Sequence, residues 1–192
     1  YKFEVIPLIQ TFGHMEYFLK LQQYRHLREQ DEFPQAICPS NDESFKLVMQ
    51  IIDQVIALYP HSRWLHIGCD EVFHIGLCDR CKSKQHDALF LSHGTCHPII
   101  WVCYFSQPLS NIFCLLLLVA KVSKYVKQKH NVIPIIWDDM LRQFDPDVIK
   151  TYDLKQFGVE LMIWTYIDDI YRFVPYATWS AYAELFPNIW GA

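Results

Sequence analysis

The chain has 192 residues, 52% hydrophobic and 16% aromatic, which is enough to bury a sizeable core and too apolar for a disordered or low-complexity protein. A formal net charge of −4 and the lack of any basic run exclude the electrostatic footprint of a nucleic-acid binder. The seven cysteines (Cys38, Cys69, Cys78, Cys81, Cys96, Cys103, Cys114) are odd in number. With no signal sequence in view, they favour a reducing compartment, cytoplasm or nucleus, over a disulfide framework. The chain opens on YKFEVIPLIQ without an initiator Met, so a targeting sequence can lie outside it.

The first apolar run, Phe3 to Ile9, is short and near-continuous, as in a parallel strand buried on both faces. QTFGH follows it, bringing His14 just past the strand end. Ser40 with Glu43 fits a capping box, and Phe45, Val48, Met49, Ile52, Val55 and Ile56 recur at helical spacing until Pro60. A second strand is expected over Trp64–Gly68, closing on Cys69, Asp70 and Glu71. Third and fourth strands are expected over Val132–Trp137 and Glu160–Trp164, followed by Asp138 and Asp139 and by Thr165 and Tyr166, and a fifth over residues 188–192. Strand, helix, strand is a βα repeat, and the polar residues always fall just past a strand's C-terminal end. That placement, without a glycine-rich dinucleotide fingerprint, favours a (β/α)8 TIM-type barrel over an open doubly wound sheet. With about five strands the barrel is incomplete, and residues 1–192 are expected to form one partial catalytic domain.

Residues 94–118 break the pattern. From Ala88 through Ala120 there is no Asp, Glu, Lys or Arg, yet Pro98, Gln107, Pro108 and Asn111 interrupt the run, so a membrane span is disfavoured. Deleting 94–118 joins His93 to Val119 and places Phe90, Val119, Val122 and Val126 on one helical face. Gly94-Thr95 can be encoded with a splice-donor GT, and FCLLLL reads like the pyrimidine tract before an acceptor. The stretch is therefore expected to be a retained intron, a non-native insertion with no stable place in the fold.

Asp70 and Glu71 repel each other, and on an extended backbone they point to opposite sides; both can serve one site only if the chain turns, which Gly68 permits. Adjacent acids in the first turn of a helix are the ordinary alternative. A division of labour between proton donor and ionised neighbour is the functional one. Cys78 and Cys81, flanked by His74 and His86, draw the spacing H-x3-C-x2-C-x4-H of a small zinc module. The loop lacks a second C-x-x-C pair, and surface thiols are the preferred reading.

HIGCDE, residues 66–71, has the H-x-G-x-D-E pattern of the β-N-acetylhexosaminidases of glycoside hydrolase family 20. The flanking VIPLIQTFGHMEYFLK, PIIWDDML and FPNIWGA resemble that family in order as well. The resemblance implies a barrel and a retaining exo-glycosidase that removes terminal β-linked N-acetylhexosamine. In this family the substrate's own acetamide is the nucleophile. By resemblance, Glu71 is the general acid and then the base, and Asp70 holds the acetamide N–H. His14 and His66 lie near the site, with His66 in reach of a catalytic carboxyl. Trp137, Trp164 and Trp190 line the acetamide pocket, Tyr166 bonds the acetamide oxygen, and Asp138 touches a sugar hydroxyl or supports a group that does. No cofactor or metal is implied. The implied partners are N-acetylhexosamine-terminated glycoconjugates, without nucleic acid or membrane, and a homodimer of the full-length protein. A non-catalytic sugar-binding barrel is the lesser alternative, which intact Asp70 and Glu71 oppose. The family's sugar-gripping arginine and last-strand acid fall outside the chain, so 1–192 alone is expected to be inactive or poorly folded.

Overall fold

The computed structural model describes residues 3–83, 109–142 and 144–192, with only the backbone for 109–113. A helical turn, α1 (Glu16–Leu19), is followed by an antiparallel hairpin of β1 (Arg28–Gln30) and β2 (Phe33–Ile37) and by the helix α2 (Asp42–Leu58). Next come β3 (Trp64–His66), α3 (Leu109–Tyr125), β4 (Ile133–Trp137), α4 (Pro146–Lys150) and β5 (Glu160–Ile163). The chain closes with α5 (Ile170–Phe173), α6 (Tyr176–Leu185) and β6 (Ile189–Gly191).

β3, β4, β5 and β6 form one parallel sheet in chain order. On the outer side of β3, the Ile9 N–H donates to His66 O and the His66 N–H to Pro7 O, both at 2.9 Å. The first apolar run therefore lies where a strand was expected, but it is reduced to a single bridge, Leu8 to His66. Pro7 lacks the N–H needed to carry the ladder further, and Phe3 is left 86% exposed. The staves succeed one another without the reversal of a doubly wound sheet. The result is an α/β fold with a parallel sheet at its centre.

Period-2 alternation separates two sheet faces. Leu65, Ile67, Ile136, Leu161 and Ile163 join Val48 and Ile52 of α2 and Leu115, Val119 and Val122 of α3 in the apolar core. The opposite face carries Trp64, His66, Trp137, Glu160 and Trp190, which interact with one another. α2 starts one residue later than the capping box implied: Asn41 is the N-cap, accepting from the Glu43 N–H at 3.0 Å. Asn caps as well as Ser does. The β1–β2 hairpin had no clear sequence signal, because REQ and FPQAI are too short and too polar to alternate legibly.

The expectation for residues 94–118 is corrected in part. Residues 109–118 belong to α3, where Cys114, Leu115, Leu116 and Leu118 are buried beside the anticipated stripe of Val119, Val122 and Val126. A leucine run is helix-compatible, so it extends that stripe toward the N-terminus instead of looping out. Residues 94–108 lie outside the described residues. The intron reading concerns the message, and transcript sequencing across codons 93–119 tests it: mature messages lacking codons 94–118 are expected, and their complete absence would make the stretch a genuine insertion. Among the described residues no helix is long and apolar enough to cross a membrane.

Candidate active site

The strand alternation that would separate Asp70 from Glu71 is abolished by a local turn. After β3, Gly68 (φ 77°), Cys69 (φ 87°) and Glu71 (φ 49°) all adopt positive φ. The two non-glycine residues cost of order 1–3 kcal/mol each in such a conformation, a cost that recurs at functional sites. Three hydrogen bonds hold the turn. Gly68 N–H donates to His66 Nδ1 (3.1 Å), Trp137 N–H to Gly68 O (3.0 Å), and Glu71 N–H to Asp139 Oδ2 (3.0 Å). A Cβ at Gly68 would stand 2.0 Å from Gln10 Oε1. Gly68→Ala should therefore destabilise the protein by at least about 1–3 kcal/mol from backbone strain alone. A urea-denaturation midpoint unchanged from wild type would contradict that geometry.

The turn brings both carboxylates to one histidine. His14 Nε2, itself on a residue with φ 50°, lies 3.4 Å from Asp70 Oδ2 and 3.4 Å from Glu71 Oε2. Gln10 Nε2 donates to Asp70 Oδ1 at 2.8 Å, leaving Oδ2 for His14. Thr11 Oγ1 donates to Ile67 O at 2.7 Å and ties the first rim loop to the second. Half-exposed Glu71 and more enclosed Asp70 thus present different environments on either side of His14.

A second group of residues fixes the next two rims. Asp138 is 0% exposed, and its oxygens accept from Arg142 Nε (2.5 Å) and Nη2 (2.6 Å). Arg142 Nη2 also reaches Trp164 O (2.5 Å), clamping the β4 end to the β5 end. Burial raises the Asp138 pKa, and the Arg142 guanidinium opposes that shift. Asp139 is the acid that faces the turn after β3: besides Glu71 N–H, it accepts from Trp164 Nε1 at 3.1 Å. Trp164 in turn makes an edge contact with Tyr166, ring centroids 5.2 Å apart.

Residues 1–172 match the catalytic domain of glycosyl hydrolase family 20. The chain belongs to that family. It is similar to Hexosaminidase D of Bos taurus, 36% identical over 168 residues that cover 87% of this chain and 43% of the relative. It is likewise similar to Hexosaminidase D of Homo sapiens, 34% identical over 190 residues covering 98% of this chain and 35% of the relative. The chain spans less than half the length of these curated relatives.

Against the family pattern, the structure brings His14, Asp70 and Glu71 together, and sets Trp164 beside Asp139 with Tyr166 edge-on to the indole. Three residues are held differently from the sequence expectation. Asp138 is buried, with both oxygens bonded to Arg142. His66 does not bond a catalytic carboxyl: Nδ1 accepts from Gly68 and buried Nε2 has no partner among the described residues. Trp190 is drawn to Glu160 Oε2 (2.7 Å) and packs edge-on against Trp64, whose indole N–H reaches the same oxygen (3.1 Å). Trp137 packs on His66, with ring centroids 4.2 Å apart, while Tyr166 is 95% exposed. Gln10 and Asp139 were missed. Asp139 adjoins Asp138 and Gln10 lies four residues before His14, and only contacts across 60 and 68 residues reveal their roles.

The family's buried histidine also carries a pH signature. Burial lowers the His66 pKa from 6.5 to about 4. Its lowered folded-state pKa means the stabilisation from a neutral ring is complete above the unfolded value and is lost as pH falls from 6.5 toward 4. The loss amounts to roughly 3 kcal/mol. Denaturation midpoints measured across that window should fall more for wild type than for His66→Gln; parallel curves would remove His66 as the cause.

The C-x-x-C motif also departs from expectation. Cys81 is buried and Cys78 half-buried, so these are not surface thiols. His74 is stacked on Phe33 at 5.0 Å and is not among the grouped ligand atoms, while His86 of the H-x3-C-x2-C-x4-H grouping lies outside the described residues. The motif meets Cys38 and Glu29 instead.

Proposed function

We propose that the chain carries the catalytic carboxylates of a retaining exo-glycosidase that removes terminal β-linked N-acetylhexosamine, GalNAc or GlcNAc, inside a (β/α)8 barrel. The observation that supports it most is the convergence of Asp70 and Glu71 on His14 Nε2, 3.4 Å from each, at the C-terminal rim of a parallel strand. Family membership and the printed name of the relatives point to the same substrate class.

On this reading the exposed Glu71 carboxyl protonates the glycosidic oxygen as its bond to the anomeric carbon breaks. Asp70 accepts the substrate's acetamide N–H and turns the carbonyl oxygen onto that carbon, giving an oxazolinium ion and the released aglycone. Glu71, now a carboxylate, takes a proton from water as it attacks the same carbon; the ring opens with overall retention. Gln10 pins Asp70, Asp139 pins the Glu71 backbone and Trp164, and His14 spaces the two acids. The indole of Trp164 and the phenol of Tyr166 offer a surface for the acetamide, and an aromatic wall keeps water from the intermediate. The five described cysteines form no disulfide with one another, which suits a cytoplasmic or nuclear setting.

The described sheet supplies only part of a closed barrel, so residues 1–192 alone are read as inactive. The deciding experiment is hydrolysis of an aryl N-acetyl-β-hexosaminide by the complete gene product, followed by NMR of the first-formed anomer. Release of β-anomer is expected; no release, or the α-anomer, would defeat the proposal.

A further inference from the structure

Seven residues past Glu71, the fold assembles a group that the glycosidase reading leaves unused. Glu29 stands in the middle of β1, Cys38 directly follows β2, and Cys78 and Cys81 come from the loop after the acid pair. One ligand atom from each lies within 4.8 Å of all the others. The Cys38 and Cys78 sulfurs are 3.5 Å apart, those of Cys38 and Cys81 3.8 Å, and Cys81 Sγ is 3.3 Å from Glu29 Oε2. A zinc tetrahedron with Zn–S near 2.3 Å and Zn–O near 2.1 Å has S–S edges of about 3.8 Å and S–O edges of about 3.6 Å. Those three separations lie within about 0.3 Å of such edges, and the remaining ones are within 4.8 Å.

The donors are also aimed. Glu29 Oε1 accepts the backbone N–H groups of Leu77 (2.6 Å) and Cys78 (2.8 Å), which turns Oε2 toward the sulfurs. The Cys81 N–H is directed at the Cys78 sulfur, the Ser40 N–H at the Cys38 sulfur, and the Arg80 side chain at both Cys38 and Cys78. Meanwhile Glu29 is only 2% exposed and makes no ion pair with Lys or Arg among the described residues. A carboxylate packed against three sulfurs without an ion-pair partner of its own is costly to bury, and a divalent metal offsets that cost.

We propose that Glu29, Cys38, Cys78 and Cys81 bind one Zn²⁺ in a closed S₃O site. Soft thiolates select zinc over harder divalent ions, and four protein ligands leave no open position for chemistry. Binding sends the three thiol protons to solvent, with no change in oxidation state. The metal ties the loop after Asp70 and Glu71 to the β1–β2 hairpin. That hairpin already braces the first rim loop, through Met15 N–H to Gln35 O (2.9 Å) and Ile37 N–H to Phe12 O (3.1 Å). Both rim loops that meet at His14 are thereby anchored to one point. The site stands independently of the glycosidase reading, because no ligand belongs to the acid pair.

The test is metal analysis of the complete gene product purified without chelator from zinc-supplemented cells, with Co²⁺ exchanged in as a probe. One zinc per chain, and a thiolate-to-cobalt charge-transfer band with tetrahedral visible bands, are expected. Cys78→Ser should lose both, whereas Cys69→Ser, in the turn after β3 and outside the cluster, should keep them. Chelation should expose Cys38, Cys78 and Cys81 to alkylation. Should Cys78→Ser fail to fold, the cobalt spectrum of the wild-type chain still decides. A zinc-free chain that gives no thiolate band on cobalt titration would overturn the proposal, as would a Cys38–Cys78 disulfide in freshly purified protein.

Discussion

Glu71→Gln in the complete protein is expected to lower kcat by roughly 10²–10⁴-fold on substrates with poor leaving groups, the range a positioned general acid supplies. An amide cannot donate the proton that the departing oxygen needs, so the loss should shrink as the leaving group becomes more acidic. Backbone geometry should survive the change, because the turn is held by Glu71 N–H on Asp139 Oδ2, and neither group is altered. KM should move little compared with kcat. The measurement is a leaving-group series of aryl N-acetyl-β-hexosaminides with wild type and variant in parallel. Activity toward the poorest leaving group within a few-fold of wild type would show that another residue supplies the proton.

The second large effect is expected at Asp70. Asp70→Asn keeps the shape and can still offer an oxygen to Gln10 Nε2, which now donates to Asp70 Oδ1 at 2.8 Å. What it loses is the negative charge facing the acetamide N–H, and with it the stabilisation of the positive charge that develops on the oxazolinium ring. Turnover should fall steeply. A thiazoline mimic of that ring should bind wild type at least roughly 10²-fold more tightly than the variant, the lower end of the preference for transition-state-like ligands. Calorimetry with the two proteins reads this directly, and equal affinities would sink the substrate-assisted role while leaving Glu71 untouched.

These assignments divide along a physical line. The sequence by itself determined whatever is encoded by local spacing. The 3.6-residue stripe of α2, its stop before Pro60, the order of parallel apolar runs, the glycine two residues before an acid pair, and the H-x-G-x-D-E string were all legible, because each depends on residues within a few positions of one another. Tertiary structure alone decided which polar groups meet. Asp138 and Asp139 are neighbours of one type, yet one is sealed beneath Arg142 and the other faces the turn after β3, since adjacent residues leave a strand end in different directions. Gln10 finds Asp70 across 60 residues, and Cys38 finds Cys81 across 43. Pro7 reduced a convincing apolar run to one bridge, and Leu115 and Leu118 gave part of an apparently foreign stretch a buried face. Such outcomes depend on which surfaces the chain's long-range closure brings together, and no local spacing carries that information.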